Sequence, residues 1–365
     1  MRAPLLVAVG CALLTACAAR QSISSVAPDL DRDGTAARPA FGAALAQLHA
    51  QECDSAVEGF DRLVVEFPES RYVSASLYNA GLCLQRTSRW DDAADRYERL
   101  LHLRPGSQDT KHARFQLAFL YIETKRYRDA LEVAELLEAR LDLTSDERSE
   151  IMARRAEALL GTGAIEDAAR AAEDALVFFR TRSERDRVRD PFFAASASYT
   201  YAESIRLRSE AIQIPAAEVE MQHAVLEKRA ALLLQAQRSY FDTMRYRDAY
   251  WASAAGYRIG AMYDGFWDAV MEAPVPPPTR ELTVEERKIY DTQYRRRLTE
   301  LAQPLIRHAI RYWELTLSMV ARTGVDSEWT ARIQADLERV RARLQPLAQQ
   351  SVEPQRSPAA TKQSG

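Results

Sequence analysis

Apolar and small residues recur through the first half of the chain in a fixed comb. Cys53, Ala56 and Phe60 are followed by Trp90, Ala93 and Tyr97, then Tyr127, Ala130 and Ala134, then Ile165, Ala168 and Ala172. The middle alanines are 37, 37 and 38 residues apart, and the apolar positions sit at offsets −3, 0 and +4 around each. Such offsets fall on one face of an α-helix. Twelve residues before each alanine stands a further small residue, Ala44, Gly81, Ala118 or Ala156. Two facing small residues let antiparallel helices cross closely, so the pattern predicts helix pairs. A fixed period of 20–50 residues means stacked supersecondary units. Four units are predicted over residues 38–181. Asp91, Asp92, Asp129, Glu166 and Asp167 suit the N-terminal dipoles of the second helices. Pro68 and Pro105 stop the first two of those helices.

Beyond residue 182 the period lapses. The five letters RYRDA at 126–130 return at 245–249, but Ala249 lies 81 residues after Ala168, too far for two units and too near for three. Tyr246 and Ala249 are read as the corner of a degenerate repeat, following long inserted helices over about 192–213 and 216–243. The recurrence is then packing, the same helix-pair corner built twice. "YWASAAGYRIGAMYDGFWDAV" spaces large aromatics with Ala and Gly, which suits tightly crossed helices. "APVPPPT" at 273–279 breaks the helical pattern. Thr283 and Glu286 form a capping-box signature, Pro304 opens another helix, and Gly324 is a C-cap before a last helix over about 327–344. The region 182–345 is thus helical, and residues 346–365 read as a disordered tail.

Composition sharpens this into an all-α fold. Of 365 residues 47% are hydrophobic and 28% charged, with only 13 glycines, and Ala, Leu, Arg and Glu dominate. A net charge of −3 leaves no basic footprint for nucleic acid. Chemistry is sparse. His49, His102, His112, His223 and His308 never fall at metal-ligand spacing, and no HExxH, CxxC, GxSxG or phosphate-cradling glycine loop occurs. No catalytic residue, metal, cofactor or small-molecule substrate is expected.

The stretch "GLCLQRTSRWDDAADRYERLLHLRP" carries the alanine, the aromatic after it and the terminal proline, and so resembles the tetratricopeptide repeat. The third and fourth units depart from that pattern, with Asp142 and Arg180 where the proline would stand. The resemblance implies a solenoid whose repeat core holds Ala56, Gly81, Trp90, Ala93, Tyr97, Tyr127, Ala130 and Ala168, with Tyr246 and Ala249 in the degenerate copy. It also implies a concave groove lined by the first helix of each pair. Carried onto this chain, the lining is Tyr78, Leu82 and Arg86, then His112, Phe115, Phe119 and Ile122, continuing from Phe41, Leu45 and Leu48. Aromatic residues in such a groove would anchor an extended peptide or a helix. Apolar strips of this kind are usually covered, and the N-terminal linker and the inserted helices are the segments at hand to cover it.

The N-terminus reads differently. "MRAPLLVAVGCALLTAC" has one Arg, a short apolar run and small residues, and Leu14-Thr15-Ala16-Cys17 resembles a bacterial lipobox. The resemblance implies a signal peptide over 1–16, lipid (palmitate among the chains) on Cys17, and a flexible linker over 17–37 spanning at most roughly 70 Å. Ala18 after the cysteine favours the outer membrane, periplasmic face. Cys53 and Cys83 remain, either bridged, as an exported protein permits, or as two buried thiols. Lipid anchor and repeats together resemble lipoproteins of envelope-spanning machines, of the gliding-motility or secretion type. The expectation is a non-enzymatic scaffold that binds envelope proteins through its groove. A barrel-assembly or pilotin-like chaperone lipoprotein, or a regulator of cell-wall synthesis, are the alternatives.

Overall fold

The computed structural model describes residues 23–24, 34–182, 186–325 and 327–352. Cys17, the signal and most of the linker lie outside these residues, as do positions 353–365. Among the described residues there are thirteen helices and no strand. Two compact units divide the chain, residues 1–208 with 241–251 and residues 209–240 with 252–365.

In the first unit α1 (Gly34–His49), α2 (Cys53–Glu66), α3 (Tyr72–Arg86), α4 (Trp90–Leu103), α5 (Asp109–Glu123), α6 (Tyr127–Glu138), α7 (Ser145–Gly161) and α8 (Ile165–Thr181) each pack on the next. The odd-numbered helices also touch one another, α1 on α3, α3 on α5 and α5 on α7. Ala56, Ala93, Ala130 and Ala168 are all buried, with Phe60, Tyr97, Ala134 and Ala172 one turn on. The crossings are close enough to exclude a methyl group. A Cβ on Gly81 would stand 2.6 Å from the Tyr97 ring, and one on Gly59 would stand 2.9 Å from the Ala44 Cβ. Trp90 and Tyr127 are partly buried and pack against the same core.

The turns inside the pairs share one geometry. Gln51, Ser88 and Lys125 have φ of 62°, 58° and 60°, and Gly163 has 84°. The next residue's N–H returns five positions: Glu52 to Gln47 at 2.9 Å, Arg89 to Leu84 at 2.9 Å, Arg126 to Tyr121 at 2.6 Å and Ala164 to Leu159 at 3.1 Å. This is the Schellman C-cap, which satisfies carbonyls that a helix end leaves open.

The second RYRDA corrects the expectation of a repeated corner. In the first copy Tyr127 opens a helix and Asp129 accepts from Arg126 Nε at 2.6 Å. In the second, Arg247 takes φ 59° and Asp248 accepts from the Trp251 N–H at 2.9 Å, so the helix α11 (Ala249–Glu272) begins three residues later. Ala249 is half-buried where Ala130 is buried. The cause is the pair of aromatics directly after the alanine. Tyr250 and Trp251 must meet Phe192 on α9 (Phe192–Glu210), at ring distances of 6.5 and 5.7 Å, and this fixes where the helix starts. Tyr246 packs edge-on to Phe179 at 5.6 Å.

The second unit takes residues from α10 (Val219–Met244) and α11, with α12 (Val284–Thr323) and α13 (Glu328–Val352). Gly256 and Gly260 on α11 lie against Thr316 and Trp313 of α12, and Trp313 Nε1 donates to the Tyr257 carbonyl at 3.0 Å. Asp264, buried, accepts from Arg339 at 2.7 Å and Arg343 at 3.2 Å on α13. Tyr263 and Trp267 belong to this interior, and Tyr257 is half-buried at its edge. Tyr263 stacks on His308 at 5.2 Å and donates to Gln237 at 2.9 Å. Thr283 and Glu286 make the capping box, and Gly324 is left-handed with φ 67°. Pro304, expected to open a new helix, instead lies inside a single helix of 40 residues. Proline removes one backbone rung, but Ala302 and Ile306 on either side are buried, and their packing carries the helix through. α13 likewise runs to Val352 rather than 344.

Candidate functional site

The first helices of the pairs are the ones a concave face would draw on, and α3 is buried along its whole length from Tyr72 to Gln85. It has α2 and α4 behind it and α1 and α5 on its flanks. Most of the residues expected to line an open groove are therefore not open. Phe41, Leu48, Tyr78, Leu82, Phe115, Phe119 and Ile122 are buried within the core cluster, Leu45 and Arg86 are half-buried, and His112 is exposed. The Tyr78 ring packs on Tyr97 at 5.5 Å, and Phe119 meets Trp90 edge-on at 6.0 Å. Offsets −15 and −11 from the central alanine point into the seams between neighbouring helices, which stacking closes.

Offset −14 behaves differently. It holds Asn79, Gln116 and Arg154, one buried polar residue in each of the second, third and fourth units, with the exposed Gly42 in the first. Asn79 is 0% exposed, and both ends of its carboxamide are bonded to Ser24. Its Oδ1 accepts from the Ser24 N–H at 2.9 Å, and its Nδ2 donates to the Ser24 carbonyl at 2.9 Å. Asp109, at the first turn of α5, accepts from the Ser24 hydroxyl at 2.6 Å and from Ser74 at 2.7 Å. Ser107 stands beside Ser74 and donates to Asp109 at 3.4 Å. Ile23 packs against the repeat core. An open pocket of about 560 Å³ continues past this point, lined by Arg71, Ser74, Arg104, Ser107 and Asp109 among others.

Residues 75–107, which span Asn79 and the Gly81–Tyr97 crossing, match the tetratricopeptide repeat family. One segment of the chain thus matches a tetratricopeptide repeat. Among the described residues the fold is all-α, and the solved structures it resembles include tetratricopeptide-repeat proteins. A tetratricopeptide repeat protein from Parabacteroides merdae is 14% identical, with 84% of this chain and 99% of that one covered and a TM-score of 0.41. YrrB, a tetratricopeptide-repeat protein with an unusual peptide-binding site, is 15% identical over 54% of this chain and 86% of its own, with a TM-score of 0.37. MamA from Desulfovibrio magneticus is 15% identical over 55% and 96%, with a TM-score of 0.38. No curated protein matches the chain.

Along the stacked helix pairs the buried polar contacts continue. Tyr97 donates to Gln85 at 2.6 Å, and Gln85 passes a bond to Gln116 at 3.0 Å. Burial, with Tyr78 alongside, pushes the Tyr97 hydroxyl well above the usual phenol range, so it stays a donor. Arg154 donates to Glu150 at 2.9 Å and lies 5.2 Å from the rings of both Phe119 and Phe193. Burial pushes the Glu157 carboxyl up to about 7, with Arg154 opposing and Glu123 adding to the rise. Cys53 and Cys83 are free, buried cysteines, and burial, with Cys53 alongside, pushes the Cys83 thiol up. Among the described residues no group of three or more His, Cys, Asp or Glu could hold a metal, and no helix is long and apolar enough to cross a membrane.

What this face offers is recognition of backbone. The apolar comb conceals it in the sequence, because Asn79 and Gln116 sit one position beside the larger aromatics Tyr78 and Phe115. The signal that marks them is polarity recurring at offset −14 in three successive first helices.

Proposed function

We propose that this protein is a non-enzymatic scaffold lipoprotein, tethered through Cys17 to the periplasmic face of the outer membrane. Its repeats would hold extended segments of proteins belonging to an envelope-spanning machine, of the gliding-motility or secretion type. The observation that carries this reading is Asn79, which spends both ends of a buried carboxamide on the backbone of an extended residue. Main-chain pairing of this kind supplies affinity for an extended chain, and neighbouring pockets supply selectivity. The lipobox-like Leu14-Thr15-Ala16-Cys17 supports the anchor.

The test is crosslinking of the full chain in its native envelope, followed by detergent extraction and mass spectrometry of the captured proteins. Components of a motor or secretion machine are the expected result. Secretin or barrel subunits would move the reading to an escorting chaperone, and cell-wall synthases to a regulator. An absence of any captured protein would sink the scaffold reading. Cys17→Ser should abolish incorporation of labelled palmitate, and continued labelling would place the anchor elsewhere.

A further inference from the structure

The N–H and C=O of Ser24 both turn toward Asn79. Donor and acceptor of one residue point the same way only where the backbone is extended, as in the hydrogen-bonded pairs of a β-ladder. Asn79 thus acts as one residue of a strand, embedded in a helix. Its burial makes the arrangement demanding, because a wholly buried carboxamide without partners is costly. Asp109 adds selection. An ionised carboxylate accepts hydrogen bonds and donates none. One of its oxygens is taken by Ser74 and the other by the Ser24 hydroxyl. Ile23, next in line, is turned into the apolar core. Side chains alternate along an extended chain, so a slip of one residue would aim the hydroxyl at the apolar core and the isoleucine at Asp109.

We propose that Asn79, Asp109 and Ser74 form a recognition site for an extended aliphatic–hydroxyl pair, and that Ile23-Ser24 of the chain itself is the resident occupant. The proposal rests on the scaffold reading in one respect, that a partner reaches this face. It adds that a partner must present the same pair and displace the built-in one. Ser24 lies roughly ten residues before α1, and a short tether of that kind gives an effective concentration on the order of millimolar. A partner peptide at micromolar concentration therefore competes poorly until the resident segment is released. A phosphorylated or acidic residue in the serine position is rejected, because it would face the Asp109 carboxylate.

The experiment uses a fluorescently labelled peptide with the sequence of residues 20–27, RQSISSVA, titrated into the full chain in detergent with anisotropy as readout. The protein is compared with an Ile23→Asp/Ser24→Ala variant, whose resident segment no longer fits. The variant should bind the peptide at least about tenfold more tightly than the unaltered chain. A peptide with alanine in place of the serine that corresponds to Ser24 should bind at least about tenfold more weakly, and one with phosphoserine there should not bind. Because these changes are in the peptide, they cannot be blamed on misfolding. Asp109→Ala in the released variant should lose peptide affinity with helical circular dichroism retained. Equal binding by both proteins, equal binding of the alanine peptide, or no binding at all would overturn the proposal. None of these outcomes would touch the crosslinking result, and a chain that binds the peptide yet captures no envelope protein would fail as a scaffold while keeping this site.

Discussion

Gly81 lacks a side chain because the Tyr97 ring occupies the place where a Cβ would stand, 2.6 Å away. Gly81→Ala should therefore destabilise the first unit by about 1–3 kcal/mol, the usual cost of forcing bulk into a packed crossing. Gly106→Ala has open space around it and a backbone angle that side chains accept, so its midpoint in a denaturant titration should barely move. Equal losses at both positions would mean that the crossing has room for a methyl group. Glu157 gives a pH signature. Its folded pKa of about 7 lies above its ordinary value of 4.5, so its contribution is fully present below pH 4.5 and is lost as pH rises through 7. Stability of the unaltered chain should thus fall across that window, and Glu157→Gln should flatten the fall. An identical slope in both would assign the dependence to other groups. At this scale the sequence is legible where a residue's role is bulk. Ala93, Ala130, Gly81 and Tyr97 declare themselves by size and spacing. Tyr78 and Phe115 do not, since a ring one seam away from the open face has the same spacing as one on it.

The helix pairs follow from the comb, but their turns do not. Gln51, Ser88 and Lys125 hold left-handed backbone without being glycine, and only Gly163 advertises the turn by its identity. The repeat overrides local preference there because the Schellman bonds and the next helix fix the chain on both sides. The second RYRDA makes the converse point. Identical letters build different corners once Tyr250 and Trp251 replace Leu131 and Glu132 after the alanine. Pro304 departs from its sequence signal for a related reason, because a local breaker yields to buried neighbours over a helix of 40 residues. In α11 the two glycines predict an outcome. Gly260→Ala would drive a methyl into the Trp313 indole, which also donates to the Tyr257 carbonyl. Hydrogen exchange should accelerate across α11 and α12, with α3 and α4 unchanged. Unaltered exchange in α12 would show that the indole has room to move.

At the scale of the whole molecule, the proposed anchor at Cys17 lies close in sequence to Ser24, the residue that Asn79 holds by its backbone. Cys17 precedes Ser24 by seven residues, at most about 25 Å of extended chain. On a lipidated chain, occupation by Ile23-Ser24 would hold the repeats near the membrane, and displacement by a partner would lengthen the tether. Binding and reach would then be coupled by one pair of residues. The polar register of Asn79, Gln116 and Arg154 is present in the sequence but outweighed by the apolar comb, and its meaning depends on a residue 55 positions away from Asn79. The most direct measurement is hydrogen exchange at the Ser24 amide in the full chain, resolved by mass spectrometry with fragmentation. Protection well beyond that of an unstructured peptide is expected, lost on adding excess RQSISSVA peptide and lost again in Asp109→Ala. Exchange at the free-peptide rate in the unaltered chain would contradict a resident Ile23-Ser24 segment.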